Sequence, residues 1–225
     1  MVELSEYSDN GTQKSLKGEN VTRRSVSVSR HLKSAFDRIV AALLLVALAP
    51  AFLVIASAIK VDSRGPVFYR QLRNGKNLAT FTMWKFRSMG AEESSATPTF
   101  KQATKNDARV TKVGAFLRKT SLDELPQLFN VVFGDMSLVG PRPHPIPLDD
   151  QFRSTINDFD VRYSVVPGIT GLAQVKGFRG ETDTHEKMLD RVMADIDYAG
   201  RWSLWLDVRI LLATMLMGFI NPNAY

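Results

Sequence analysis

The stretch Ile39–Ile59, IVAALLLVALAPAFLVIASAI, carries no charge over its whole length, and its reading decides how the rest of the chain is arranged. About 20 consecutive apolar residues are enough to cross a bilayer core as a helix. A transmembrane span is therefore the simplest reading. Pro50 argues against it, because a proline inside a helix removes a backbone hydrogen bond and clashes with the preceding turn. Each half then has about ten residues, or about 15 Å of helix, which matches one leaflet. The flanks agree: Arg23, Arg24, Arg30, Lys33 and Arg38 precede the stretch, and Lys60, Arg64, Arg70 and Arg73 follow it. Cytoplasmic flanks are rich in Lys and Arg, so both ends are drawn to the same side. A re-entrant hairpin satisfies both flanks at once. A single span with a tolerated proline and a buried helix of a soluble core stay open on these grounds.

The whole chain, 225 residues at 44% hydrophobic, is long enough for one domain with a core plus an appendage. The formal charge of +6 favours anionic partners: nucleic acid, an acidic lipid surface or a phosphorylated substrate. A nucleic-acid-binding protein would show an organised basic stripe without a long uncharged segment, so no nucleic-acid partner is expected. The absence of cysteine excludes disulfides and thiolate metal sites, and His31, His144 and His185 are too scattered for a zinc motif. A hard metal held by carboxylates is left.

Residues 1–32 are basic and rich in Ser, Asn, Lys and Glu, with no helical or strand period, and read as a disordered tail. The apolar stretch begins only at Ile39 and lacks a small-residue cleavage site behind it, so no signal peptide is expected. Residues 33–60 read as the helical segment that carries the apolar stretch, and 61–225 as the remaining domain of mixed helices and strands. Pro66–Arg70 and Thr80–Met89 read as strands. A period of two along the second puts Phe81, Met83, Lys85, Arg87 and Met89 on one face. A polar loop follows at about 90–108, then helices near 110–119 and 123–133, the latter ended by Gly134. Beyond lie a Pro-rich turn at 141–147, a Gly/Pro loop at 167–180 and an acidic helix over Thr184–Ala199. The closing segment, WSLWLDVRILLATMLMGFI, has too short an uncharged run to span. It fits an interfacial helix, with Trp202 and Trp205 at headgroup level, or a core helix equally well.

The richest chemistry lies in Arg118–Asn130, RKTSLDELPQLFN. Asp123 and Glu124 stand side by side at a predicted helix start, and Ser121-x-x-Glu124 fits a capping box. The same pair fits a reactive site, because a helix N-terminus beside Arg118 and Lys119 lowers a carboxylate pKa and attracts a phosphate. An aspartate can attack phosphorus to form an acyl phosphate, while a neighbouring carboxylate holds magnesium against a diphosphate. Pro141-Arg142-Pro143 presents a guanidinium on a stiff turn, suited to a two-pronged grip on phosphate or to a plain surface position. Lys85 and Arg87 suit phosphate binding or a solvated strand face. Pro167–Gly177, PGITGLAQVKG, permits close backbone approach but has neither a Walker pattern nor GxGxxG, which argues against P-loop and dinucleotide chemistry.

Four motifs then stand in order: Lys85–Met89 (KFRSM), Ser121–Asn130 (SLDELPQLFN), Gly134–Pro143 (GDMSLVGPRP) and Pro167–Gly171 (PGITG). Together they resemble the bacterial sugar transferase family, the monotopic polyprenyl-phosphate phosphoglycosyl transferases, and within it the short exopolysaccharide-initiating type. The resemblance runs from about Lys33 to the C-terminus. It implies a small mixed α/β domain at the membrane surface, with amphipathic interfacial helices and one re-entrant helix broken at Pro50. It implies Asp123 as nucleophile and Glu124 as principal Mg2+ ligand, with Asp123 beside it. Lys85 and Arg142 would bind phosphate, Arg87 and Arg118 would support them, and Gln174 would be a further substrate contact. The implied reaction moves a sugar 1-phosphate, galactose or glucose phosphate, from a UDP-sugar to undecaprenyl or another polyprenyl phosphate, with release of UMP. Its place would be the cytoplasmic face of the bacterial inner membrane, with membrane lipids as partners; homo-oligomerisation and contact with downstream glycosyltransferases are left open. Ala49-Pro50 replaces the usual Ser-Pro, a frequent glycine is replaced near Leu78, and Leu172 and Lys176 replace a tryptophan and an asparagine. A non-enzymatic membrane scaffold is the rival reading, and the intact set Asp123, Glu124, Lys85 and Arg142 argues against it.

Overall fold

The computed structural model describes residues 29–90, 104, 107–178, 180, 182 and 184–218. The expected tail over 1–32 lies outside the described residues except for its last four, which are helical. The chain divides into two units, Met1–Phe36 and Asp37–Tyr225.

Helix α1, Ser29–Ala47, and helix α2, Ala49–Asp62, are bent by 63° at the break between them. The break falls at Leu48, which places Pro50 in the first turn of α2. A proline is tolerated there because its missing N–H would have no helical partner. Leu48 N donates to Leu44 O at 2.8 Å and Phe52 N donates to Leu48 O at 2.9 Å, so the backbone is bonded on both sides of the bend. No single described helix is long and apolar enough to cross a membrane, and α1 and α2 meet that length and composition only as a bent pair. Ile55 and Ile59 turn inward onto Phe86 and Leu117. On the outer side Leu43 (66%), Val46 (77%) and Leu53 (71%) remain exposed.

Strands β1, Phe68–Asn74, and β2, Thr80–Phe86, pair antiparallel, with Phe68 opposite Phe86 and Tyr69 opposite Lys85. The first strand therefore runs four residues beyond its expected end, and the second stops three residues short. Their turn is a single 3-10 turn over Lys76–Leu78, closed by Gly75 N donating to Ala79 O at 2.8 Å. Leu78, near which the sequence lacks an expected glycine, holds a left-handed φ of 62°.

Helix α3, Lys112–Thr120, starts at Thr111, whose hydroxyl accepts from Gly114 N at 3.0 Å. It ends at Ser121 in the left-handed region. Leu122–Glu124 then form a 3-10 turn, and helix α4 begins only at Gln127, running to Phe133. The expected helix over 123–133 is thus split, and the capping box is not formed, since Ser121 makes no side-chain cap. Pro126 explains the break: it has no N–H to return to Leu122 O, so regular helix restarts after it. Gly134 closes α4 with φ 90°, as its type requires.

The Gly/Pro loop at 167–180 also needs correction. It contains strand β4, Gly168–Thr170, and a helical turn α6, Leu172–Val175. Strand β4 pairs in parallel with β3, Ser137–Val139, placing Ser137 beside Gly168 and Val139 beside Thr170. The approach is so close that a Cβ on Gly168 would sit 2.0 Å from Gly140 N. Helices α5, Ile146–Arg153, α7, His185–Arg201, and α8, Leu204–Gly218, complete the domain. Met83, Leu128, Val131, Leu138, Val139, Tyr198 and Ile210 form one core, and Leu148, Phe152, Phe159, Tyr163, Met188 and Val192 another. In α8, Asp207 is buried and accepts from Tyr198 OH at 2.7 Å and from Trp202 Nε1 at 3.1 Å, whereas Trp205 is 69% exposed. Asp37 of α1 accepts from the Ser137 hydroxyl and from Leu138 N, which fixes the root of α1 to β3.

Candidate active site

Three separate elements bring their polar residues to one point. Strand β2 supplies Lys85, and its placement depends on the fully buried Asn130 of α4. The Asn130 side chain accepts from Trp84 N at 3.0 Å and donates to Thr82 O at 2.7 Å, so the helix that follows the dyad grips the strand that carries the lysine. The 3-10 turn before α4 supplies Asp123 and Glu124. The third element is the Pro141-Arg142-Pro143 turn. It leaves β3 through Gly140, whose N–H donates to Thr170 O at 2.9 Å, while Pro141 O accepts from Gly168 N at 2.9 Å. The PGITG motif is therefore the clamp that launches the arginine turn.

At the centre, Arg142 holds Glu124 with both nitrogens: Nη1 donates to Oε2 at 2.9 Å and Nη2 donates to Oε1. Lys85 Nζ donates to the same Oε1 at 2.9 Å. Burial alone would raise the Glu124 pKa, but the Arg142 and Lys85 charges outweigh it and hold the carboxyl well below its usual range. Burial likewise works against Arg142, and Glu124 reverses it, so the guanidinium is held more firmly charged than usual. Lys85 is pulled down by burial, with Glu124 opposing.

Asp123 differs from its neighbour. It is buried, yet no hydrogen bond from a described residue reaches its carboxylate. Burial pushes its pKa up to about 6, against the pull of Lys85, with the Glu124 charge adding to the rise. Two adjacent carboxylates thus sit in opposite states, one neutralised by cations and one left available. Such divergence is how a site assigns different tasks to like groups.

Arg118, in the last turn of α3, is close enough to help hold the Asp123 carboxyl down. Arg87 is not brought to the dyad. Strand β2 ends at Phe86, and the Arg87 guanidinium is turned onto the carbonyls of Ser63 and Arg64 and the Ser63 hydroxyl. Its burial serves the turn after α2. Gln174 is tied to β4 through Nε2 donating to Ile169 O at 3.0 Å, and no described contact joins it to the dyad.

Among the described residues, no group of three or more His, Asp or Glu gathers as a metal cage. The donor set fits a different kind of ion. Magnesium is commonly held by one or two carboxylates with the remaining positions filled by water and substrate phosphates. Asp123 and Glu124 are a carboxylate pair of that kind, and in this structure both Glu124 oxygens are taken by Arg142 and Lys85. Two buried arginines behind the site, Arg73 and Arg162, are not recognisable in the sequence, because nothing in Leu72-Arg73-Asn74 or Val161-Arg162-Tyr163 distinguishes them from surface residues.

The chain belongs to the bacterial sugar transferase family, whose family model matches residues 28–221. Among curated relatives, a UDP-glucose:undecaprenyl-phosphate glucose-1-phosphate transferase of Klebsiella pneumoniae is 54% identical, over 84% of this chain and 40% of its own length. A protein of the same name from Escherichia coli (strain K12) is 50% identical, over 88% of this chain and 42% of its own. The exopolysaccharide production protein PSS of Rhizobium leguminosarum bv. phaseoli is 42% identical, over 82% of this chain and 94% of its own. The chain thus spans about two fifths of the length of the first two relatives and nearly all of the third.

Proposed function

We propose that this chain transfers a sugar 1-phosphate from a UDP-sugar to a polyprenyl phosphate, through a covalent intermediate on Asp123, at the cytoplasmic face of a bacterial inner membrane. The observation that carries the reading is the contrast within the dyad: Glu124 is bound by Lys85 and Arg142, while the Asp123 carboxylate beside it is left open. In the first half-reaction an Asp123 oxygen attacks the β-phosphorus of the nucleotide sugar. A bond forms between aspartate and phosphorus, the β-phosphorus to bridging-oxygen bond breaks, and UMP leaves with that oxygen. In the second, a phosphate oxygen of the polyprenyl phosphate attacks the same phosphorus and the aspartate leaves as free carboxylate. Lys85 and Arg142 suit the diphosphate because they already bind an anion in this place, and a bidentate arginine orients phosphate as it does carboxylate. With a pKa near 6, Asp123 is mainly ionised at neutral pH and able to attack. Asp123 and Glu124 would hold magnesium, which would neutralise charge on the diphosphate.

Glucose is the favoured sugar, because the Klebsiella and Escherichia relatives are named for UDP-glucose; galactose is the alternative. Undecaprenyl phosphate is the favoured acceptor on the same ground. The bent pair α1–α2 acts as a re-entrant hairpin, with exposed Leu43, Val46 and Leu53 facing lipid. Exposed apolar patches on this scale mark an interaction surface. Trp205 of α8 suits the headgroup region. The test is a panel of UDP-sugars offered with undecaprenyl phosphate and magnesium to the purified protein. UMP release and a lipid-linked sugar from UDP-glucose are expected, and failure with every UDP-sugar would overturn the reading.

A further inference from the structure

The grip of Arg142 on Glu124 depends on where the Pro141–His144 turn is held, and that turn is held from behind by two buried arginines. Arg162 Nη2 donates to the carbonyl oxygen of Arg142 at 2.7 Å. Arg73 Nη1 donates to the carbonyl oxygen of Pro143, the next residue, at 3.1 Å. Neither contact touches the Arg142 guanidinium; both fix the backbone from which it extends.

Arg162 is itself immobilised. Its Nε and Nη2 both donate to Asp195 Oδ2 of α7, at 3.1 and 2.6 Å. Its Nη1 lies 2.8 Å from His144 Nδ1 and donates to Tyr163 OH at 3.1 Å. Burial, followed by the Arg162 charge, holds His144 far below its usual pKa, so the ring is neutral, with Nδ1 facing both Arg162 Nη1 and, at 3.2 Å, Asp149 Oδ1. Asp149, fully buried, accepts from Tyr163 OH and from Asn74 Nδ2, the latter at 2.8 Å, and joins β1 to the same cluster. A fully buried arginine is costly unless every donor is used and its charge is paired. Here that requirement is met while one donor still faces the turn.

We propose that Arg162, seconded by Arg73, is a positioning residue of the transfer reaction: it holds the Arg142 backbone where the guanidinium can reach Glu124 and the substrate's phosphate. The assignment rests on the reading of Arg142 as a substrate-binding cation. The fork of Arg162 reaches Asp195 and Arg142 O together, which a lysine ammonium at the same place cannot do with the same geometry. Displacement of a substrate-holding group by about 1 Å can lower rates by about 100-fold, so loss of this one contact has a readable effect.

The experiment is a double-mutant cycle on the full chain, with UDP-glucose and undecaprenyl phosphate as substrates. Arg142→Ala, Arg162→Lys and the double variant are compared for kcat and KM, alongside melting temperature. Arg162→Lys is expected to lower kcat/KM about 10-fold or more. The double variant is expected to lose no more than Arg142→Ala alone, because Arg162 acts through Arg142. Arg73→Lys should show the same non-additivity in smaller degree, and it carries the test if Arg162→Lys does not fold. Additive losses, or an unchanged kcat/KM in a folded variant, would overturn the proposal. An Arg142→Ala variant with normal kinetics would instead remove the reading of Arg142 on which the proposal depends.

Discussion

Arg142 and Glu124 form a two-pronged ion pair, with both guanidinium nitrogens on both carboxylate oxygens, and Lys85 shares one of those oxygens. The arrangement keeps Glu124 ionised inside a buried site and leaves the adjacent Asp123 as the available carboxylate. A lysine in place of Arg142 would meet only one oxygen at a time. Arg142→Lys is expected to lower kcat/KM for UDP-glucose by about 10-fold or more, in a protein that still melts cooperatively, as steady-state kinetics would show. Normal kinetics would show that two-pronged recognition is not required.

The neutral, buried His144 gives a pH dependence of stability with a definite sign. Its folded pKa lies well below the ordinary value, so as pH falls through about 6.5 the unfolded chain takes up a proton that the folded chain does not. The contribution is present above that pH and is lost as pH falls toward the folded pKa, by at most about 1.4 kcal/mol per unit. Melting curves of wild type and His144→Asn between pH 7.5 and 5.5 check this. The wild type should lose stability relative to the variant on acidification, and parallel curves would contradict the buried neutral state.

Two glycines separate close packing from open space. At Gly168 an added Cβ would meet backbone, 2.0 Å from Gly140 N, and neither strand can yield without parting β3 from β4. Gly168→Ala is expected to destabilise by about 1–3 kcal/mol. Gly200, inside α7, has nothing within 4 Å of an added Cβ. Gly200→Ala should stabilise by about 0.5–1 kcal/mol. Thermal denaturation of the two variants, with opposite shifts expected, is the measurement.

The absence of cysteine makes topology directly testable. Ser29→Cys opens the bent pair and Ser63→Cys closes it, and both should react with an impermeant maleimide only from the cytoplasmic side of membrane vesicles. Labelling of the two from opposite sides would establish a span and displace the hairpin. Leu53→Asp, which places a charge on an exposed apolar position of α2, should weaken membrane retention in an alkaline wash.

Legibility in the sequence followed chemical type. Asp123, Glu124, Lys85 and Arg142 could be named because each carries a reactive or charged group within a long motif, and the structure gathers all four. The bend was legible too, since Pro50 cannot sit within an unbroken helix. Arg87 was misplaced because a period of two was carried past Phe86, where the strand stops and the carbonyls of Ser63 and Arg64 take the guanidinium. Strand β4 was hidden for a different reason: a three-residue strand starting on glycine has no propensity of its own and exists only because Gly140 lies against it. Arg162 was invisible because the Asp195 that permits its burial lies on α7, far along the chain.

The central claim is that Asp123 carries the sugar phosphate. The most direct measurement is intact-mass analysis of the purified protein after mixing with UDP-glucose and magnesium in the absence of polyprenyl phosphate, followed by peptide mapping. A mass increase of one hexose phosphate, mapped to Asp123, discharged by added undecaprenyl phosphate and absent in Asp123→Asn, is the predicted result. Unmodified protein that nevertheless turns over when both substrates are present, or an Asp123→Asn variant with normal turnover, would contradict it.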